Sequence, residues 1–116
     1  MGKKNLLCLA ILVSMAVSSV IAQQGGFTGP GASAATVAEA RRFRDDTPVI
    51  LQGRIIRFLG DDKYIFADDT GNITVEIDRR VWGNLSVGEN DMVEITGEID
   101  RYPFRVEVEV RSIRRL

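Results

Sequence analysis

The chain has 116 residues, a formal net charge of −1, 45% hydrophobic and 27% charged residues, no histidine and a single cysteine, Cys8. This size and balance fit one small globular domain and exclude a multidomain enzyme or a disordered charged tail. They also exclude a histidine-based metal site, a Ser-His-Asp or Cys-His nucleophile pair and an intrachain disulfide.

The apolar residues are unevenly spread. Lys3 and Lys4 precede an apolar run that continues through Ala22, after which Gln23-Gln24-Gly25-Gly26 turns polar. A charged start, a short apolar stretch and a small residue at its end form the pattern of a secretory signal peptide. Residues 1–22 are therefore expected to direct export to the periplasm and to be cleaved after Ala22. No basic stop-transfer cluster follows, which argues against a retained membrane span. Cys8 comes too early in the run, and without a small residue before it, to mark a lipoprotein. Removing these 22 residues from the 116 leaves 94 without cysteine, and the loss of Lys3 and Lys4 moves the net charge from −1 to −3. So small a chain without disulfides needs one compact, economical core.

Residues 23–35 are Gly-rich and aperiodic, as expected of a flexible leader. Thr36-Val37-Ala38-Glu39 then has the spacing of a capping box. It opens a helix expected over 37–44, with Val37, Ala40 and Phe43 as the contact stripe and Arg41, Arg42 and Arg44 elsewhere. From Val49 onward the apolar period becomes two. A first strand, Val49–Phe58, is broken by Gly53, where a bulge or sharp coil fits. Lys63–Asp68 and Ile73–Asp78 follow across the turn Asp69-Thr70-Gly71-Asn72, with Ile73, Val75 and Ile77 on one face. Arg79–Gly88 is an irregular connection in which Trp82 is expected to plug a barrel end. Asp91–Asp100 places Val93, Ile95, Gly97 and Ile99 inward. In Arg105–Ile113, Val106, Val108 and Val110 alternate with Arg105, Glu107, Glu109 and Arg111 on the solvent side. Five such strands predict an all-β class: a five-stranded Greek-key OB-fold barrel with a short N-terminal helix. The domain occupies residues 36–116 and the barrel 49–114; an SH3-like barrel is the second choice.

Several stretches carry a resemblance: GGFTGPG at 25–31, the helix from Thr36 to Arg44, Gly53-Arg54-Ile55, LGDDKYIFADDTG at 59–71, ITVEID at 73–78, Trp82, and VEITGEID at 93–100. Together they resemble the bacterial OB-fold family of small exported stress-tolerance proteins, and Tyr-x-Phe-x-Asp-x-x-Gly at 64–71 is the most specific part. The resemblance covers nearly all of the chain after the signal. It implies a periplasmic, non-enzymatic protein linked to tolerance of envelope or oxidative stress, with cell-wall glycan or an envelope protein as ligand. It supplies no catalytic residues and no cofactor.

The candidate ligand surface is the outer face of the second and third barrel strands with the loops that frame it. It comprises Lys63, Ile65, Thr74 and Glu76, with Arg101 and Tyr102 in the turn before the last strand, and Arg54 as a further donor for sugar hydroxyls or a carboxylate. Peptidoglycan or another envelope glycan is the expected partner, or else an inner-membrane or periplasmic protein; the chain itself is expected as a monomer or weak dimer. Three other chemistries are weaker. Asp61, Asp62, Asp68, Asp69 and Asp78 are numerous enough for calcium but lack the alternating ligand spacing and closing glutamate of a calcium loop. Glu76 with Asp78, or Glu107 with Glu109, has a spacing compatible with glycoside hydrolysis, yet alternating charge is the ordinary outer side of an antiparallel sheet. Single-stranded nucleic acid needs a basic groove with stacking aromatics, and this chain is net acidic with interleaved signs.

Overall fold

The computed structural model describes residues 31–116. The expected signal peptide and residues 23–30 of the leader lie outside the described residues. Six strands and two one-turn helices follow in the order β1 (Ser33–Ala34), α1 (Val37–Ala40), β2 (Pro48–Gly60), β3 (Lys63–Asp68), β4 (Gly71–Glu76), α2 (Arg79–Trp82), β5 (Val93–Tyr102) and β6 (Arg105–Arg115). The expected leader thus ends earlier than Ala35. Ser33 and Ala34 pair in parallel with Val49 and Ile50, because the backbone of Pro48–Gly53 keeps a free edge on the side away from β5.

The five long strands close into a barrel. β2 pairs antiparallel with both β3 and β5, β3 with β4, β5 with β6, and β4 runs parallel to β6. This is the five-stranded Greek-key OB barrel expected from the strand pattern. Gly53 sits where β2 leaves β5, its partner through Pro48–Gly53, and takes up β3 from Arg54 onward. It is the sharp coil rather than the bulge; the register shifts fall later, between Ile55 and Arg57 and between Phe58 and Gly60. Glycine is required because a Cβ there would collide with the Ala67 carbonyl and the Phe66 ring. Gly97 does the same in β5 at a register shift, where a Cβ would strike the Glu109 carbonyl.

Inside, the period-two residues meet as expected. Leu51, Phe66, Ile73, Val75, Ile77, Val93, Ile95, Ile99 and Val108 are all buried, each large one contributing about 1.5–3 kcal/mol of apolar burial. The two helices lie at opposite ends of β4. Thr36 and Glu39 form the expected capping box, and Val37 and Ala40 are buried with Phe43 packed beside them. The helix ends at Ala40 rather than at Arg44, because Arg42 and Phe43 donate to Glu39 and Ala40, three residues back, and tighten the last turn. At the other end Trp82 packs edge-on against Tyr64, 5.6 Å between ring centres, and Tyr64 in turn meets Phe58 at 5.1 Å.

Candidate functional site

Two outward rows cross the sheet. Ile65, Thr74, Glu107 and Asp100 stand side by side on β3, β4, β6 and β5; Lys63, Glu76, Glu109 and Glu98 form the next row. Alternation that buries Val75 and Val108 inside necessarily turns these residues out. The sequence predicts Glu107 as a solvent-facing residue, and here the structure differs: it is only 4% exposed. Lys63 on one side and Arg105 on the other cover it. The Lys63 ammonium donates to both carboxylate oxygens, at 2.9 and 3.2 Å, and Arg105 Nε donates to Oε2 at 2.9 Å. The Arg105 guanidinium also lies 3.9 Å over the Tyr102 ring, whose hydroxyl donates to Asp100 at 2.8 Å.

These contacts set the protonation states. Burial pushes the Glu107 carboxyl up, but the hydrogen bonds and charges of Lys63 and Arg105 outweigh it and hold the group below its ordinary value. The hydrogen bond to Glu107 raises Lys63 in return, and the bond to Asp100 raises the Tyr102 phenol. The face therefore carries fixed, paired charges. A general acid for glycoside hydrolysis needs a carboxyl pushed upward; Glu107 is held the other way.

The lower row opens into a concavity of 570 Å³ where β4 and β6 diverge, lined among others by Glu76, Asp78, Arg80, Glu109, Arg111 and Ser112. β4 pairs with β6 only as far as Glu76 and Glu109, while β6 runs on to Arg115, and the single turn of α2 fills only part of the gap. Here too charges are matched: Arg111 bridges Glu98 at 2.9 Å and Glu109 at 3.6 Å, and Arg80 pairs with Asp78 at 3.3 Å.

A family model described as bacterial OB fold (BOF) protein matches residues 14–115. The chain belongs to the bacterial OB-fold family. It is 43% identical to protein YgiW of Escherichia coli, with 98% of each chain covered. It is 36% identical to the calcium-regulated OB-fold protein CarO of Pseudomonas aeruginosa, with 90% of this chain and 92% of that one covered. The solved structure of YgiW superposes with a TM-score of 0.72 at 42% identity, covering 79% of this chain and 99% of that one. The telomere capping protein Ten1 of Saccharomyces pombe, at 17% identity and a TM-score of 0.59 over 72% of this chain and 80% of its own, shares the fold alone.

Within this bacterial OB-fold chain, five of the seven predicted site residues share one surface: Lys63, Ile65, Thr74, Glu76 and Tyr102. Arg54 lies at the margin, on β2 opposite Ala67, and is exposed. Arg101 is turned elsewhere. Being adjacent to Tyr102 in a strand, it points the opposite way and donates to the carbonyls of Arg41 and Phe43, while its own N–H donates to Asp45. Its work is to fasten the segment after α1. Sequence reasoning missed Arg105, Glu109 and Arg111 as neighbours of Glu76 and Lys63, and the only available signal was their place in the alternation of the last strand.

The aspartates expected as a calcium alternative disperse. Asp68 Oδ2 accepts from Val37 N–H at 2.9 Å and Oδ1 from the Thr70 amide and hydroxyl, which ties α1 to the β3–β4 turn. Asp78 caps α2. Asp61 and Asp62 adopt positive φ in the β2–β3 turn. Among the described residues no three acidic side chains converge as metal ligands.

Proposed function

We propose that this protein is an exported, non-catalytic binding module of the bacterial envelope, and that it engages cell-wall glycan through the outer face of β3, β4 and β6. One observation carries the reading: a shallow surface of alternating, mutually paired charges, from Tyr102 and Arg105 through Lys63 and Glu107, runs into the open concavity beside Glu76 and Arg111. A long polymer bearing hydroxyls and both signs of charge can exchange hydrogen bonds along such a face. A uniformly anionic strand meets Glu76, Glu98, Glu107 and Glu109, which disfavours nucleic acid. The charged start and apolar run ahead of Ala22 support export and a periplasmic site of action, and the family resemblance supports a part in tolerance of envelope or oxidative stress.

The purified protein should co-sediment with isolated peptidoglycan at low salt, and Lys63→Ala or Tyr102→Ala should weaken this several-fold while Arg101→Ala, on the other side of the strand, should not. No co-sedimentation at low salt would sink the reading. A second reading, an envelope protein as ligand, is favoured by Phe104, fully exposed at the β5–β6 turn beside Tyr102. In that case crosslinking from position 104 should capture one defined envelope protein, and Phe104→Ser should abolish the capture.

A further inference from the structure

The outer face leaves some of its charges without partners, and they are sorted by sign. Arg54 and Arg57 on β2 lie opposite Ala67 and Ile65 of β3, so both stand on the same outward face as Thr74 and Glu107, in successive rows. Both are exposed, and neither forms an ion pair among the described residues. The cations nearer β6 are already engaged: Lys63 and Arg105 with Glu107, Arg111 with Glu98 and Glu109.

Toward β6 the imbalance is reversed. Glu76 lies opposite Lys63, but the ammonium donates to Glu107 instead, and Glu76 forms no ion pair among the described residues. Glu109, opposite Glu76 on β6, meets Arg111 only at 3.6 Å. Both carboxylates border the concavity between β4 and β6. Like charges set directly opposite each other repel, and a cation between them relieves the repulsion. Between the arginines and Glu76 lie Ile65 and Thr74, an apolar surface and one hydroxyl. Two strand spacings from β2 to β4 put roughly 10 Å of sheet between the unpaired cations and the unpaired carboxylate. The ammonium and carboxylate of a single amino acid are too close together to reach both. Three extended residues, at about 3.3–3.6 Å each, are long enough.

We propose that the outer face recognises the short peptides carried by cell-wall glycan, and holds them in one direction: a carboxylate on Arg54 and Arg57, an ammonium in the concavity at Glu76 and Glu109. This rests on the glycan reading above and adds which component is read and which way it lies. Acetylated sugars offer hydroxyls but no ammonium, whereas the peptides offer both charged groups. The planar fork of arginine suits a carboxylate. Exposed ion pairs are individually weak, so the two ends fix orientation and specificity more than they add affinity.

Co-sedimentation isotherms on three preparations of isolated peptidoglycan test this: untreated, with its carboxylates amidated, and with its free amines acetylated. The protein should bind the untreated material about threefold to fivefold more tightly than either treated one. Arg54→Gln with Arg57→Gln should lose as much on untreated peptidoglycan, lose nothing further on amidation, and still respond to acetylation. Glu76→Gln should show the opposite pattern. None of these side chains forms an ion pair in the fold, so melting temperatures should be unchanged. Binding that ignores or tightens with both treatments, or treatments that act equally on the wild type and on both variants, would overturn the proposal and leave the glycan reading standing. No binding to untreated peptidoglycan at low salt would overturn both.

Discussion

The two sides of the same strands obey different rules. On the inner side of β4 and β6, Ile73, Val75 and Val108 are held by volume: they fill a closed barrel whose corners at Gly53 and Gly97 admit no side chain. On the outer side, one residue away in each case, Glu107 and Glu109 are held by partners, and Glu107 is as buried as parts of the core although it is a carboxylate. Close packing tolerates little change of shape, whereas paired charges can trade one partner for another of the same sign. The inside is thus suited to fix the barrel and the outside to bind.

The largest effect is expected at Gly97. Gly97→Val drives a side chain into the Glu109 carbonyl and should cost more than about 4 kcal/mol, leaving no cooperative melt by circular dichroism. Phe66→Ala, which empties a fully buried site and leaves the close approach at Gly97 intact, should cost about 3–5 kcal/mol in denaturant titration. Outside, the effects shrink. Lys63→Ala leaves Glu107 to the half-exposed Arg105 alone, and should cost about 1–2 kcal/mol with the fold intact, as read from the same titration.

Acid sharpens the difference further. Glu107 and Asp68 are both depressed in the folded protein. For Asp68, burial acts upward, but the hydrogen bonds from the Thr70 hydroxyl and the Val37, Thr70 and Gly71 amides prevail. A depressed carboxyl contributes stability that is present above the ordinary carboxylate range of about 4, and that is lost as the pH falls through the folded value. Melting temperature should therefore drop as the pH falls below about 4, and Glu107→Gln with Asp68→Asn should flatten that fall. A core variant such as Phe66→Ala should lower the whole curve without changing its shape. The smallest effect is expected at Trp82, whose Nε1 is buried without a hydrogen-bond partner among the described residues. Trp82→Phe keeps an aromatic against Tyr64 and removes no bond, so its melting temperature should stay within a few degrees, about 1 kcal/mol or less.

Much of the fold was legible in order along the chain. Thr36 and Glu39 announced the start of α1, and the alternation of Ile73, Val75 and Ile77 announced the inner face of β4, because caps and alternation depend on residues a few positions apart. The end of α1 was less visible: Arg41–Arg44 has helical composition, yet its last turn tightens and the Arg41 and Phe43 carbonyls accept from Arg101, nearly sixty residues on. The pairing of Ser33 and Ala34 with β2 was hidden for the same reason, since two small residues carry no periodicity and only a free edge elsewhere recruits them. Of the site, Lys63, Ile65, Thr74 and Glu76 were found together because β3 and β4 are joined by a tight turn. Glu107 was read as solvated, because nothing near it in sequence says that Lys63 will lie across it.

The sequence by itself determined that the chain is a small barrel with an apolar inside, a first strand broken at Gly53 and no histidine or folded-domain thiol. Those properties reside in single residues or in the spacing within one strand. The tertiary structure decided which outer residues face one another. The register that sets Thr74 beside Glu107, brings Lys63 onto it and sends Arg101 to the far side arises only when β2 reaches both β3 and β5 and the barrel closes. Closure is a constraint shared by five strands, and no local stretch of sequence contains it.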